Sequence, residues 1–343
     1  AVGFCDVGTL GKIDVQGADA ARFLDHVFAN RMASLPVGRV RYGLLLREDG
    51  FVLDDGTVSR LGEDHFVMTA TTTHAAKVLQ HLEFCHQWLW PGLDLRMVSV
   101  TDQWGQIAVA GPRSRDVLRR VVDPVYDLSN EAFPFVAAGE TTVCGGVKAR
   151  LFRLSFSGEL AYEVAVPARY GDALARRLME VGAEFGITPY GTEALSILRI
   201  EKGYAAGGEL NGQTTAHDLG MGKLLATDKD YVGRAMAMRP ALTDPSRPTL
   251  VGLRPVERGA RLRAGAHLLP RNAEAVAASD HGYVTSAAYS PTLRHWIALA
   301  LLSQGPRRHG EVVRVHDPVR GGDALAEVTP PVFVDPEGRR ARV

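Results

Sequence analysis

Tyr42-Gly-Leu-Leu-Leu-Arg-Glu-Asp-Gly50-Phe-Val-Leu-Asp54-Asp55-Gly56 consists of two apolar arms around a polar turn at Glu48-Asp49-Gly50, and it ends in a pair of aspartates. Apolar arms on either side of a Gly-containing acidic turn predict a β-hairpin. Aspartate is a poor strand former and adjacent like charges repel, so a pair just after a strand needs a reason. One reason is an ordinary solvated turn. The other is that one carboxylate points inward at a cationic ligand, and the pattern alone leaves both open.

Outward from this hairpin, short apolar runs bounded by Gly, Pro, Asp or Asn recur at His65–Thr69, Gln106–Ala110, Lys148–Ser155 and Tyr162–Val166. Their length and boundaries predict strands. Leu174, Leu178, Val181 and Phe185 recur at helical spacing, and Ala18–Phe28, Thr73–Phe84, Pro112–Val121 and Thr192–Lys202 are further helix candidates. After about Asp230 the helical period stops. Leu250–Leu253, Gly282–Ser286, Ile297–Leu302, Val312–Val315 and Leu325–Val328 then form a helix-free series that predicts a small antiparallel barrel or sandwich. Arg239–Pro248, rich in proline, reads as a linker that divides the chain into residues 1–240 and 241–343. The expected class is α+β.

The 343 residues carry Lys+Arg 39 against Asp+Glu 39, a formal net charge of zero. Such a balance lacks the broad positive field of a nucleic-acid or membrane-surface binder, so neither partner is expected. No apolar run approaches the roughly 18–20 residues that cross a bilayer. Cys5, Cys85 and Cys144 are odd in number, far apart and without CxxC spacing, which predicts reduced thiols and a cytoplasmic setting, with no disulfide framework and no structural zinc. The histidines show no ligand spacing, so no metal site is expected. GxGxxG, P-loop, HExxH and GxSxG patterns are absent, and the chain is not expected to bind a dinucleotide by itself. Ala1 opens without the pattern of a signal peptide, and the chain reads as a piece of something longer.

Two further carboxylates stand out. Glu201 follows Ile197 by four and Leu198 by three, so it shares an apolar helix face and must be hydrogen-bonded or paired, either with Arg199 or a lysine or with ligand N–H groups. Glu163 lies between Tyr162 and Val164, and alternation places it on the opposite face of its strand.

Asp6-Val-Gly-Thr-Leu-Gly-Lys-Ile13, Gly17-Ala-Asp-Ala20, Gly50–Asp55, Ala110-Gly-Pro112, Ser157-Gly-Glu159 with Tyr162-Glu163, Leu198-Arg-Ile-Glu201, and Gly282–Ser286 with Ser290-Pro-Thr-Leu293 together resemble the folate-dependent aminomethyltransferase family, which includes the T-protein of the glycine cleavage system. Each motif is weak alone; seven in order, from end to end, are strong. Tyr190–Leu195, Glu201–Tyr204, Asp218–Met221 and Phe333–Gly338 are most similar to the C-terminal tetrahydrofolate-binding part of heterotetrameric sarcosine oxidase α subunits. In those subunits a dinucleotide-binding half precedes this part.

The resemblance implies a three-lobed fold with mixed antiparallel sheets, helices and a C-terminal antiparallel β-barrel. It implies tetrahydrofolate as cofactor and formation of 5,10-methylenetetrahydrofolate from an imine or aminomethyl donor, such as that derived from sarcosine, with flavin-containing oxidase subunits as partners. Residue by residue, Asp55 matches the family's essential aspartate, Tyr42 a folate-touching tyrosine, and Glu163 the pterin-binding glutamate. Phe156 stands where a folate-contacting tyrosine is usual, and Glu201 joins the cofactor-binding set. Leu195 occupies the place of a T-protein arginine, which weakens the alternative of a self-sufficient glycine-cleavage aminomethyltransferase. Tyr204 replaces the cysteine that marks a related folate-binding group in iron–sulfur cluster maturation, which disfavours that non-enzymatic alternative. A non-catalytic folate-binding module of a larger oxidase is the remaining one.

Overall fold

A computed structural model describes residues 1–343. One sheet has six strands in the order Ile187–Pro189, Val2–Asp6, Trp104–Ala110, Ala161–Pro167, Val147–Phe152 and Ala138–Val143. Only the Val2–Asp6 and Ile187–Pro189 pair in it is parallel. A second sheet of five runs Arg39–Leu46, Val52–Gly62, His65–Ala70, Gly11–Gln16 and Arg96–Ser99. The third lobe is a closed antiparallel barrel of six strands between Pro248 and Thr329. The fold is therefore α+β with a C-terminal barrel, and no helix is long and apolar enough to cross a membrane.

Alternation builds each core. In Ala161–Pro167, the even residues Tyr162, Val164 and Val166 enter a cluster with Leu174 and Leu178, one turn apart on the helix Gly171–Gly182. Ile13 and Val15 do the same for the five-stranded sheet, against Phe23, Leu24 and Val27 of the helix Ala20–Val27. The barrel fills itself with Val251, Leu253, Ala298, Ala300, Val313 and Val328 among others.

The structure departs from the sequence expectations where polar residues are satisfied inside strands or where a helix must stop early. The candidate Pro112–Val121 is helical only over Ser114–Leu118, because Val122 leaves the helix to bridge Val143. The stretch Arg239–Pro248 holds a short helix, Pro240–Thr243, opened by the proline. Gly11–Gln16 was hidden as a strand by Lys12 and Asp14, which are 2% and 6% exposed. Lys12 Nζ donates to the Gly8 and Leu10 carbonyls at 2.8 and 3.0 Å, and Asp14 accepts from Arg150 at 3.0 Å and bonds His65. The aspartate pair does not follow a strand either. It sits inside the eleven-residue strand Val52–Gly62, for reasons that belong to the site below.

Apolar, ionic and backbone contacts all join the lobes: Val40 packs on Ala138 and Phe152 of the other sheet, and Ile200 on Ile297 and Leu299 of the barrel. The two sheets meet edge to edge, with Val40 N–H donating to Val136 O at 2.8 Å and Ala138 N–H to Gly38 O at 2.9 Å. The Asp14–Arg150 pair spans them. The barrel is tied on through the helix Thr192–Glu201: Arg199 Nη1 reaches Glu209 Oε2 at 2.8 Å, Arg199 Nη2 donates to Ser286 Oγ at 2.7 Å, and the Ser286 hydroxyl donates to Glu209 Oε1 at 2.7 Å. Arg247 holds Asp218 through two bonds of 2.9 and 2.6 Å.

Glu209 is wholly buried, and removing one partner of such a pair strands the other charge. Glu209→Ala is expected to lower the unfolding free energy by about 3–5 kcal/mol in urea titrations. A loss below about 1 kcal/mol would show that the barrel is held by apolar contact alone.

Candidate functional site

The site begins with strand register. Tyr42 pairs with Thr57 and Leu44 with Asp55, so Tyr42 and Asp55 are diagonal neighbours on one face of the five-stranded sheet. The Tyr42 hydroxyl donates to Asp55 Oδ2 at 2.8 Å and lies 3.6 Å from Met221 Sδ. Asp55 Oδ1 has a more distant donor, the Thr71 hydroxyl at 3.5 Å. Burial pushes the Asp55 carboxyl up to about 6; the Tyr42 bond opposes the rise, and the neighbouring Asp54 charge adds to it. Burial, and then Asp55, hold the Tyr42 phenol well above its ordinary value, which keeps it a donor.

Period-2 alternation sends Asp54 to the opposite face, where it is 0% exposed. Its Oδ2 accepts the Thr71 backbone N–H at 2.9 Å, and its Oδ1 lies 3.0 Å from His74 Nδ1. The two charges thus face apart, and Asp54 is satisfied by neighbours, which is why a strand accommodates the pair. Gly56 next to them is obligatory, since a Cβ there would lie 2.0 Å from the Thr69 carbonyl oxygen.

Glu163 belongs to the other sheet and, as alternation requires, faces away from the Tyr162–Val164 core. Gln106, diagonal to it, donates its side-chain amide to Glu163 Oε2; Oε1 takes no hydrogen bond from the protein. Burial raises the Glu163 carboxyl, opposed by the Gln106 bond and by the Lys12 charge. Around it the same face carries Ala108 directly across, Cys5 beyond that, and the row Gly3, Ala110 and Ala161. This is a floor of small side chains. The Tyr190 ring lies over Gly3, where a Cβ would come within 2.7 Å of it.

Asp55 and Glu163 are linked through the turn between the first two strands. Lys12, charge-coupled to Glu163, binds carbonyls on either side of Thr9, and the Thr9 hydroxyl is 3.4 Å from that of Thr72, the neighbour of Thr71. Phe156 is 41% exposed in the loop after Val147–Phe152 and stacks on Tyr204 with ring centroids 6.0 Å apart. Glu201 is 3% exposed and stands apart from this group. Its Oε1 accepts from the Ser290 hydroxyl and its Oε2 from Thr292 at 3.1 Å, so its partners are barrel hydroxyls rather than Arg199 or a lysine. Arg199 is taken by Glu209.

Sequence reasoning assigned no role to Lys12, Thr71, His74, Gln106, Tyr190 or Met221. Lys12, Tyr190 and Met221 lie within the motifs quoted above, so a signal existed for them. Gln106 and His74 reach the site through tertiary pairing and carried none. No group of three or more His, Cys, Asp or Glu side chains is placed to hold a metal ion.

Comparison with known proteins agrees along the whole chain. The profile of the GCVT N-terminal domain matches residues 1–229, and that of the glycine cleavage T-protein C-terminal barrel domain matches residues 249–335. A sarcosine oxidase subunit alpha of Rhizobium meliloti (strain 1021) is 52% identical over 343 residues, covering 99% of this chain and 34% of that protein. One from Corynebacterium sp. (strain U-96) is 43% identical over 344 residues, covering 99% and 35%. The chain thus spans about a third of the length of these relatives. An aminomethyltransferase of Saccharopolyspora erythraea is 31% identical over 338 residues, covering 96% of this chain and 85% of that protein. The crystal structure of glycine cleavage system aminomethyltransferase T from Bartonella henselae superposes with a TM-score of 0.82 at 24% identity, covering 97% of this chain and 86% of that one, which speaks for the fold. With both domain profiles matched in order, the chain belongs to the glycine cleavage T-protein family of aminomethyltransferases.

Proposed function

We propose that this chain is the tetrahydrofolate-binding part of a sarcosine oxidase α subunit, forming 5,10-methylenetetrahydrofolate from an imine or aminomethyl donor such as that derived from sarcosine. In this reading residues 1–240 carry the folate surface and residues 241–343 the barrel, within a cytoplasmic assembly whose flavin-containing subunits or domains make the imine. The greater identity to sarcosine oxidase α subunits, and Leu195 in place of an arginine, favour this over a glycine-cleavage aminomethyltransferase. The observation that carries the reading is Asp55, a largely buried carboxylate clamped by the Tyr42 hydroxyl, whose proton affinity burial raises to about 6, so that it is ionised at neutral pH and ready to take up a proton.

The side chains suit the cofactor. Glu163 offers an unused acceptor oxygen at the edge of a floor of Gly and Ala residues, and such an acceptor suits a flat ring edged with N–H groups. Tetrahydrofolate, when bound, supplies the nucleophilic nitrogen that receives the one-carbon unit. Glu163 orients the ring, Gln106 fixes Glu163, and Tyr42 and Phe156 contribute aromatic contacts, whereas Glu201, engaged by Ser290 and Thr292, ties its helix to the barrel and is left without a cofactor-binding role. The Asp55 charge stabilises the cationic donor carbon more strongly here than in water, because the site is desolvated. The proton released as the carbon–nitrogen bond forms is taken up at Asp55 Oδ1, the oxygen that Tyr42 leaves freest, and is returned to the donor amine as its bond to the transferred carbon breaks.

Three outcomes test this. Asp55→Asn is expected to cut single-turnover formation of 5,10-methylenetetrahydrofolate, with donor imine supplied in trans, by roughly 10²–10³. A wild-type rate in that variant would remove Asp55 from the chemistry. The same variant is expected to be more stable than the parent at neutral pH. The folded-state value of Asp55 lies above its ordinary 3.8, so the parent loses stability as pH rises from about 4 through 6. The variant escapes that loss, about 1–3 kcal/mol, and the two melting curves converge below pH 4. Finally, calorimetry is expected to show tetrahydrofolate binding tighter than about 1 mM, weakened 10- to 100-fold by Glu163→Gln, as for a lost bond to a charged group. Unchanged affinity would place the ring elsewhere.

A further inference from the structure

The face of the six-stranded sheet that carries Glu163 holds one more polar atom that the chemistry above leaves unused. Tyr190 follows the edge strand Ile187–Pro189 and is tied to the neighbouring strand by its backbone N–H, which donates to Phe4 O at 3.0 Å. Its half-buried ring lies on Gly3, where a Cβ would come within 2.7 Å of Tyr190 Cδ1 and 3.1 Å of the Thr188 carbonyl oxygen. Gly3 stands inside the strand Val2–Asp6 without a positive φ, so space and not conformation calls for glycine there. The ring comes down onto the sheet only because that side chain is missing. Gly3, Ala110 and Ala161 form one row of this face, and Cys5, Ala108 and Glu163 the next. Tyr190 and Glu163 therefore border the same floor, over strands two spacings, about 10 Å, apart.

We propose that Tyr190 is a further cofactor-binding residue, whose hydroxyl donates to an acceptor atom of the reduced pterin while Glu163 accepts from the ring's N–H edge. This rests on the reading of Glu163 as the group that orients the ring. A carboxylate only accepts, so a ring that carries acceptors beside its N–H groups needs a donor from elsewhere on the floor. The Gln106 amide is engaged by Glu163, and Lys12 by the Gly8 and Leu10 carbonyls. The hydroxyls of Tyr42, Tyr162 and Tyr283 meet Asp55, Arg115 and Asn211, whereas that of Tyr190 has no partner in the chain. Burial, and then the nearby Cys5 and Glu163, hold the Tyr190 phenol above its ordinary value, which keeps it a donor. A ring that merely covered Gly3 would need no hydroxyl, and phenylalanine would serve as well.

The test is calorimetry with tetrahydrofolate on Tyr190→Phe, which keeps the ring over Gly3 and removes only the hydroxyl. Affinity is expected to fall about 3- to 10-fold, as for one neutral hydrogen bond. The melting temperature is expected to stay at the parent value, since no partner within the chain is lost, and so is the single-turnover rate at saturating tetrahydrofolate, since Asp55 is untouched. Parent affinity in Tyr190→Phe, with binding weakened by Glu163→Gln, overturns the role of Tyr190 and leaves the ring beside Glu163. A lowered melting temperature in Tyr190→Phe makes the hydroxyl part of the scaffold and overturns the proposal likewise. If neither variant weakens binding, the reading of the floor as the ring site fails, and that of Tyr190 with it.

Discussion

Arg199 and Glu209 hold this molecule in its working shape. Each is almost wholly out of water, and each is compensated by more than the other: Glu209 also accepts from Ser286, Thr285 and the Ala206 N–H, and Arg199 also donates to Ser286 and the Tyr204 carbonyl. Such a pair adds little over a well-packed apolar contact, but it accepts only one geometry. It locks the end of one helix, the loop that follows and a barrel strand. From that anchor the loop continues to Thr214, whose carbonyl accepts the Val52 N–H at 2.9 Å, and on to Met221 against the Tyr42 hydroxyl. The barrel side of the molecule is thereby indexed to the strand that carries Asp55.

The site follows a different rule from the anchors. Asp14, Glu209 and Asp218 are buried with arginine partners at hydrogen-bond distance. Asp55 and Glu163 are only partly open to water and have no arginine at hydrogen-bond distance; a phenol and an amide hold them, and burial drives both toward protonation. Carboxylates arranged this way disfavour the folded state at neutral pH, and residues that act against stability mark places where structure has been shaped for another purpose. Backbone economy supports the same view. The Asp54-Asp55-Gly56 triplet opposes strand propensity at every position, yet it lies in the first half of an eleven-residue strand.

Much of the architecture is legible in the sequence because it comes from local periodicity. The alternation of Ala161–Pro167, the i,i+4 leucines 174 and 178, and the series of short strands from Leu250 to Val328 need no distant residue to be read. Elements that carry buried charge escape such a reading. Gly11–Gln16 looks unlike a strand until Arg150, more than a hundred residues away, is seen to neutralise Asp14. Pro112–Val121 looks like a longer helix until Val143 claims Val122 for a bridge.

For the site, sequence by itself determined which residues were candidates. Asp55 and Tyr42 were marked by motif, and Glu163 by motif and by face, since alternation depends only on position in a strand. What each carboxylate meets was decided by tertiary structure alone. Glu201 shares its helix face with apolar neighbours in sequence, and nothing local says that its partners are Ser290 and Thr292 of the barrel. Asp54 and Asp55 are chemically identical neighbours, separated only when one side chain turns to His74 and Thr71 and the other to Tyr42. Hydrogen bonding and desolvation fall off within a few ångströms, so the proton affinity of a carboxyl is set by groups that only the folded chain brings within reach.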